Sequence, residues 1–593
     1  MGILNMLSPS IQVNEVDLTA IVPGASVSTG AFVGEFNWGP CDAPVLVSSE
    51  SDLVSRFSTP TTSASDFFVA TSFFSCANFL SYTNSLYVVR QINTANAKNA
   101  SDANTKPLIL NEAVYSDTWL ANTWSGNYGS FCAKYPGSIG SGLVVSLCTD
   151  ANSFSSWTYS SYFDNAPGTS SFALEKSGGV TSNDEMHIVV VDADGKFTNK
   201  SGTVLERFEY VSKAIDAMDV NGRSGYYKNV LMNNSSYVLA LDPPVFANTS
   251  NTWGTSVTDT SSFAGIGAVN ITLSGGADGD PIAASNLING WSHFINKDQY
   301  EISLAFVGAS ADLPDGITVP QYVLDNVILG TVSETPTIGR RDTMLFISPM
   351  LSDVKQQRGY EVSNIVSGLG SFLSQFNRDS SYVVVDSGWK YQYDRYNNIY
   401  RWVPLNADIA GLCAYTDNVA ETWYSPAGYT RGKIKNVVKL AWSPNQAERD
   451  ALYSKGVNPV ISMVGEGIIL LGDKTLQAKP SAFDRINVRR LFIILEKSIS
   501  RFAKYSMFEF NDAFTRAQFV AAVEPYLRTV QARRGIYDFK VICDESNNTP
   551  DIIDRNGFVG DIYIKPARSI NFIQLNFVAV KTGVEFNTVV GKF

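Results

Sequence analysis

The chain has 593 residues, of which 45% are hydrophobic and 17% are charged, and its formal net charge is −11. This composition excludes an intrinsically disordered protein, and the length is enough for about three or four domains. The acidic balance excludes a general nucleic-acid-binding protein, because such proteins hold phosphate groups with an excess of Lys and Arg.

Metal and membrane motifs are missing from the sequence. The six cysteines form no C-x-x-C pair and the chain has two histidines, so a zinc site is not expected. Asp192 and Asp194 lack the spacing of a calcium loop. The first residues do not resemble a signal peptide, and no apolar run reaches the length of a membrane span. We therefore expect buried, reduced thiols, no metal, no cofactor and no membrane insertion.

An isolated strand is predicted near the N-terminus. Residues 8–16 alternate, with Ile11 and Val13 on one face and Val16 on the other. A Pro-Gly pair at 23–24 interrupts the chain, so no tight hairpin supplies a partner strand. Such a strand joins either a distant edge of its own subunit or a second molecule, and the pattern leaves both open.

Residues 28–93 and the segment after them differ in composition. The first part predicts a strand, a Trp-Gly-Pro turn, a strand, a helix from about residue 64 to 82 and a buried strand at 86–90. Residues 99–183 hold 16 serines and 12 aromatic residues but only 3 Lys or Arg. Their short apolar runs, separated by Gly, Pro, Ser and Asn, predict a β-rich inserted domain.

Residues 302–386 carry three continuous apolar runs separated by helical stretches, which predicts a parallel sheet covered on both faces. Such a sheet is also found in enzymes, so an α/β enzyme with a β-rich accessory domain is the alternative interpretation. Residues 467–475 approximate a phosphate-binding loop, but Asp473 and an apolar Ile-Ile-Leu-Leu run disqualify it. His187 and His293 have no nucleophile motif to serve, so we expect no catalytic residue.

Residues 483–540 predict two helices followed by a strand. The first helix is indicated by apolar residues three or four apart: Val488, Leu491, Leu495, Ile499 and Phe502. The second helix is predicted to start at Asn511 or Asp512, which are good capping residues. Its predicted buried face consists of Phe514, Ala517, Val520 and Ala521.

The same stretch is basic. From Arg485 to Lys540 there are 11 Lys or Arg against 5 Asp or Glu, a balance of +6 in a chain of −11. Lys497, Arg501 and Lys504 are spaced to form one helical stripe. A basic face on an acidic protein favours an acidic partner, and ordinary solvated helix faces are the other interpretation.

Several segments, taken in chain order, carry a family resemblance. They are S-P-S-I at 8–11, W-G-P at 38–40, residues 202–217 and 226–238, I-T-L-S-G-G-A-D-G-D at 271–280, and residues 408–434, 456–476 and 483–540. Together they resemble the contractile-tail sheath protein family. The resemblance covers most of residues 8–93 and 186–586, and it is weak over about 94–185.

The resemblance implies a multidomain α+β, or mixed α/β, fold. Its inner α/β polymerisation domain is built from both chain ends, and its β-rich outer domains are insertions. The implied parts are an N-terminal arm (1–20), an inner part (21–93), a β-rich outer insertion (94–185), a middle insertion (186–345), an inner α/β part (346–480), a C-terminal sheath domain (481–579) and a C-terminal arm (580–593).

The resemblance also implies a structural virion protein, assembled in the host cytoplasm, that touches no nucleic acid. Family members form helical homopolymers of hexameric rings around a tail tube, with baseplate and tail terminator proteins as further partners. A phage-derived bacterial injection device is the other source of such a protein. The implied strand-exchange residues are Ile11, Val13, Val16, Val584, Phe586 and Val589. The implied tube-facing residues are Lys497, Arg501, Lys504 and Arg516.

Overall fold

The computed structural model describes residues 28–60, 67–120, 127–219, 221–243, 252–259, 262–330, 339–355, 362–571 and 574. These residues fall into two compact units, and the boundary along the chain lies between Arg501 and Phe502. Six residues implied in strand exchange lie outside the described residues: Ile11, Val13, Val16, Val584, Phe586 and Val589.

Strands occur along most of the described chain, and together with the helices they give the mixed α and β content that was predicted. The strands are β1 (Gly30–Gly34), β2 (Pro44–Val47), β3 (Leu86–Arg90), β4 (Phe131–Ala133), β5 (Leu143–Cys148), β6 (Glu185–Asp192), β7 (Thr203–Ser212), β8 (Val238–Ala240), β9 (Ala268–Thr272), β10 (Leu304–Phe306), β11 (Met344–Ile347), β12 (Val383–Asp386), β13 (Trp389–Asp394), β14 (Ile399–Pro404), β15 (Lys439–Leu440), β16 (Val457–Asn458), β17 (Val460–Met463), β18 (Gly467–Leu470), β19 (Ile536–Ile542) and β20 (Asp561–Pro566).

The helices vary from single turns to twenty residues. They are α1 (Glu50–Phe57), α2 (Phe67–Leu80), α3 (Glu112–Val114), α4 (Ala151–Phe154), α5 (Ser171–Lys176), α6 (Tyr227–Asn234), α7 (Ala284–Ser292), α8 (Thr318–Tyr322), α9 (Leu351–Val354), α10 (Val362–Phe376), α11 (Asn406–Val419), α12 (Gln446–Ser454), α13 (Ile486–Ala503), α14 (Ala513–Ala532) and α15 (Pro550–Asp554). Among the described helices, none has both the length and the apolarity to cross a membrane.

The larger unit is organised around a seven-stranded sheet in the order β16-β12-β11-β10-β1-β3-β2. All neighbouring pairs are parallel except β2 and β3, which are antiparallel. The parallel sheet predicted from the apolar runs of residues 302–386 is confirmed. Strands from residues 30–90 and from residues 304–458 share this one sheet, so segments distant in sequence fold together.

Helices cover both faces of the seven-stranded sheet. On β1, Phe32 points into a core that includes residues of α2 and α11, whereas Ala31 and Val33 point into a core that includes residues of α7 and α10. Successive side chains of a strand point to opposite faces, so each buried strand must be apolar on both sides. This is why the strand segments read as continuous apolar runs in the sequence.

Two predicted domain boundaries differ from the strand pairing. The four-stranded sheet β7-β6-β5-β9 pairs β5 with β6, so a boundary at 185/186 would cut through a single sheet. β10 and β11 belong to the seven-stranded sheet, so residues 304–347 share one sheet with β1 and with β12, on both sides of the predicted boundary at 345/346. The resemblance that suggested these limits rests on the order of motifs along the chain, and that order does not report strand pairing.

The Trp-Gly-Pro turn at residues 38–40 connects the four-stranded sheet, which we call the inserted sheet, to the seven-stranded sheet. The Trp38 ring is buried among insertion residues and lies 5.1 Å from the Phe197 ring. The Arg90 guanidinium, at the end of β3, donates to Gly39 O at 2.8 Å and to Pro136 O at 2.9 Å. Gly39 has a φ of 105°, and a Cβ there would lie 2.7 Å from a backbone oxygen, so the turn requires glycine.

The smaller unit, over its described residues, contains α14, α15 and the hairpin of β19 and β20. The predicted cap is confirmed, because the Asp512 side chain accepts from Thr515 N at 2.8 Å. The predicted buried face of α14 is wrong, since Phe514, Ala517 and Ala521 are exposed. The residues of α14 that are buried are Thr515, Arg516, Phe519, Ala522, Val523, Leu527 and Val530.

Candidate assembly interface

The hairpin of the smaller unit is the first candidate surface for assembly. β19 and β20 pair antiparallel, from Ile536 opposite Pro566 to Ile542 opposite Asp561. Within the described residues they form a sheet of two strands. A two-stranded sheet is only marginally stable alone, and an added strand can pair with main-chain N–H and C=O groups along the edge of such a sheet. This hairpin can therefore accept further strands by main-chain hydrogen bonding.

The loop between the two hairpin strands is held by one side-chain amide. Asn548 Nδ2 donates to Val559 O at 2.8 Å, and Asn548 Oδ1 accepts from Val559 N at 2.9 Å. The Phe519 ring of α14 lies 5.5 Å from the Phe558 ring in the same loop. The hairpin is thus fixed on α14 before any additional strand arrives, which lowers the entropy lost when one is added.

Lys497 was predicted to face a partner, but it is engaged inside its own subunit. Its Nζ donates to Ile302 O at 3.1 Å and lies 3.4 Å from Asp342 Oδ2, and the side chain is only 9% exposed. Burial lowers the pKa of Lys497, and the neighbouring Asp342 and Glu301 carboxylates oppose that effect. Lys497 is therefore a structural cation, which corrects its assignment to a solvent-facing stripe.

The other three basic candidates have different surroundings. Arg501 forms an ion pair with Glu301 and stays partly exposed. Lys504 is exposed in the short turn after α13. Arg516 is buried and donates to Asn511 Oδ1 at 2.9 Å, because it lies on the inward face of α14 that the sequence pattern missed. Only Arg501 and Lys504 remain accessible to a partner.

Polar residues at the carboxyl ends of the parallel strands are the place to look for an enzyme site. Asp386, at the end of β12, accepts from Ser348 Oγ at 2.7 Å and from Gly388 N at 2.8 Å. Ser348 Oγ in turn accepts from the backbone N of Asn406 at 3.0 Å, at the start of α11. Burial raises the pKa of Asp386 to about 8. These groups attach α11 to the sheet, so they serve packing.

Residues 467–475, which approximate a phosphate-binding loop in sequence, also form packing contacts within the subunit. Residues 467–470 form β18, Lys474 Nζ donates to Tyr453 O at 2.7 Å, and Asp473 pairs with Arg485 at 2.9 Å. A phosphate-binding lysine must instead be free to reach its ligand. The sequence argument against nucleotide binding therefore agrees with the geometry of this segment.

Both histidines have structural partners. His187 Nε2 lies 2.9 Å from Asn165 O, its ring stacks on Phe163, and burial lowers its pKa. His293 Nε2 lies 2.9 Å from Asp42 Oδ1, and that hydrogen bond raises the pKa of His293. Among the described residues, no group of three His, Cys, Asp or Glu side chains could hold a metal ion.

Sequence reasoning missed one surface of the smaller unit. Tyr505, Met507, Phe508, Phe510 and Phe514 are exposed large apolar side chains in one short stretch. The helical pattern placed Phe514 on a buried face, although a concentration of aromatics between two helices was visible in the sequence. An exposed aromatic cluster of this kind is a feature of interaction surfaces.

Comparisons with known proteins agree with a structural role. The model of the phage tail sheath protein central domain matches residues 345–476, and that of the phage tail sheath C-terminal domain matches residues 478–579. The chain is 32% identical to the tail sheath protein of Enterobacteria phage T4, over 99% of this chain and 100% of the relative. It is 33% identical to the tail sheath protein of Vibrio phage KVP40, over 99% of this chain and 100% of that relative.

The fold has a counterpart among solved structures as well. The crystal structure of a sheath tail protein from Listeria innocua has a TM-score of 0.53 and 11% identity, and it covers 92% of this chain and 93% of that chain. The matching family models and the two relatives are those of structural tail sheath proteins, not of enzymes. The chain belongs to the phage tail sheath protein family, which makes it a component of the virion.

Proposed function

We propose that this protein polymerises helically, as hexameric rings, around a tail tube, and that the polymer contracts to drive the tube through the host envelope for genome delivery. The observation that carries the proposal is the two-stranded hairpin β19–β20, whose edges can accept strands from neighbouring subunits. The baseplate and tail terminator proteins are the partners at the polymer ends. Assembly takes place in the host cytoplasm, without direct contact to nucleic acid.

In this proposal, the work of contraction comes from the difference in free energy between two packing arrangements of the same subunits. An interface that joins different patches on successive copies need not close, so it can extend into a helix. If the extended packing is metastable, a baseplate signal releases it, and the better contacts of the short packing supply the work. Such a machine needs no nucleotide and no cofactor at the moment of contraction.

The terminal arms are the proposed donors of strands. Residues 8–18 alternate as a strand does, with Ile11, Val13 and Val16, and residues 580–593 carry Val584, Phe586 and Val589. A donated strand is held by main-chain hydrogen bonds, and its alternate side chains set the register. Covalent continuity with the donor keeps subunits connected while they slide and rotate during contraction.

Contact with the tube is proposed for Arg501 and Lys504. Both are accessible, and they follow each other closely along the chain. Exposed charges attract an acidic surface without burying it, so the tube can move once the sheath contracts. An acidic tube surface is part of this proposal.

Deletion of residues 1–18 tests the arms. We expect a folded, soluble subunit that forms no tubes in negative-stain microscopy, because each hairpin loses an added strand. Val13→Pro should act nearly as strongly, since proline removes one ladder N–H donor. Val13→Thr is the matched control, because threonine keeps the N–H and the β-branched shape. Regular, contractile sheaths assembled from the deletion variant would contradict strand exchange.

A further inference from the structure

Five of the ten residues from 505 to 514 are large apolar side chains that stand exposed, and we call this segment the aromatic loop. Its exposed members are Tyr505, Met507, Phe508, Phe510 and Phe514. Phe508 is 102% exposed and Phe510 is 83% exposed, as open as in an extended peptide. Single exposed apolar residues are ordinary on protein surfaces, whereas a cluster this dense marks an interaction site.

The backbone holds these rings outward. Phe508 has a φ of 71°, a left-handed conformation that a bulky residue seldom adopts. The C-terminal end of the loop is fixed, because Asn511 Nδ2 donates to Gly557 O at 2.8 Å and the Asp512 side chain caps α14 through Thr515 N. Conformations of this kind persist where the surroundings impose them, and they are concentrated at functional positions. The loop is thus anchored at its C-terminal end and presents its aromatic side chains to the outside.

We infer that the aromatic loop is a docking surface for a second copy of this chain, an inference that rests on the proposed helical polymer. The charged residues of the loop and its margins, Lys504, Glu509, Asp512 and Arg516, sum to zero, whereas the chain carries −11. Two copies of an acidic chain repel each other, so a neutral apolar segment is where they can approach with least electrostatic opposition.

The shape of the loop also favours a neighbouring sheath subunit. A ring that projects from its own surface fits a recess in a different patch of the neighbour, and such a contact is heterologous and open-ended, as a helical polymer needs. A tube that has to slide during contraction would be held back by desolvated aromatic anchors, which are the strongest contacts of most interfaces. The tube is therefore the alternative occupant for the experiment to distinguish.

Site-specific photocrosslinking identifies the occupant. Full-length protein carrying photoreactive benzoylphenylalanine in place of Phe508 is assembled around tubes and irradiated, and the linked peptides are identified by mass spectrometry. We expect covalent sheath–sheath dimers, linked to a segment outside residues 505–514 and missing from irradiated monomer. Attachment to the tube protein, attachment to the same loop of the neighbour, or no crosslink in assembled sheaths would each overturn the inference.

A serine variant provides the second readout. Phe508→Ser combined with Phe510→Ser should raise the critical concentration for assembly at least tenfold, while the thermal midpoint of the monomer stays unchanged because both rings are exposed. The double variant Tyr162→Ser and Tyr429→Ser is the matched control, since it removes two exposed rings that belong neither to the aromatic loop nor to the β19–β20 hairpin. If the wild-type chain forms no sheath, the proposed function fails. If it does and the Phe508 variant assembles equally well, only this inference fails.

Discussion

Lys390 and Asp408 form an ion pair of 2.9 Å in which neither side chain has any solvent exposure. The Tyr82 hydroxyl donates to the same carboxylate oxygen at 3.2 Å, and Lys435 N donates to the Tyr82 oxygen at 2.8 Å. The pair connects β13 with α11 beneath the seven-stranded sheet. A buried ion pair is tolerated only when both charges remain partnered, so this one makes the packing of α11 depend on β13.

Removing one member of that pair should destabilise the subunit severely. For Lys390→Met we expect a loss of about 3–5 kcal/mol in the free energy of unfolding, because Asp408 is left as an uncompensated buried charge. Urea denaturation followed by circular dichroism measures it. Arg378→Met is the control, since Arg378 pairs with Asp325 at the surface and its loss should be about 1 kcal/mol or less. Equal effects from the two variants would contradict the buried pair.

Charge reversal at Lys497 separates a structural role from tube contact. Lys497→Glu should lower the free energy of unfolding by about 3 kcal/mol, because it places a carboxylate beside Asp342 in a nearly buried position. Lys504→Glu should change stability by about 0.5 kcal/mol or less and act only on assembly around tubes. Urea denaturation of both monomers makes the comparison. A stable Lys497→Glu monomer that fails to bind tubes would restore Lys497 as a tube-facing residue.

The Asp312 carboxyl makes stability depend on pH. Its Oδ1 accepts from Leu351 N at 2.9 Å, its Oδ2 has no hydrogen-bond partner in the described structure, and burial raises its pKa to about 7. Between about pH 4 and 7 the folded state keeps a proton that the unfolded state releases, so this group lowers stability as pH rises. Asp312→Asn should therefore stabilise the protein by about 1–3 kcal/mol at pH 8 and much less at pH 4.

Urea denaturation at pH 4 and pH 8 measures this difference. Asn is the appropriate replacement because its side-chain oxygen can still accept from Leu351 N. A stability gain that is the same at both pH values would show that the carboxyl does not titrate in the folded state as stated.

Trp38 is expected to stabilise the packing of the inserted sheet against the Trp-Gly-Pro turn. Trp38→Ala should lower the free energy of unfolding by about 3–5 kcal/mol, because the indole is buried against Phe197 and Tyr237. Hydrogen exchange should quicken most in β5 and β6, whose core residues belong to the same buried cluster as Trp38. Trp38→Phe is the milder control. Unchanged exchange in those two strands would show that the turn does not stabilise the insertion.

Local sequence patterns were sufficient to predict those helices and strands whose structure depends mainly on their own residues. The three- and four-residue spacing of Val488, Leu491 and Leu495 predicted α13, and all three are buried. Continuous apolar runs predicted the parallel strands, because a strand buried on both faces needs apolar side chains throughout. The order of several motifs along the chain was enough to identify the family, since many weak matches in one order are specific together.

Only the tertiary structure decided which surfaces meet. Two stripes on α14 satisfy the helical period, and packing against the Phe558 loop selects the one that contains Phe519. The spacing of Lys497 along α13 predicts a surface charge, yet its side chain lies beside Asp342, which is distant in sequence. β10 lies between β1 and β11 although long segments separate them along the chain. Such contacts depend on the free energy gained when distant segments pack together. The hydrophobic period of one segment indicates which of its faces is apolar, but it does not indicate which other segment packs against that face.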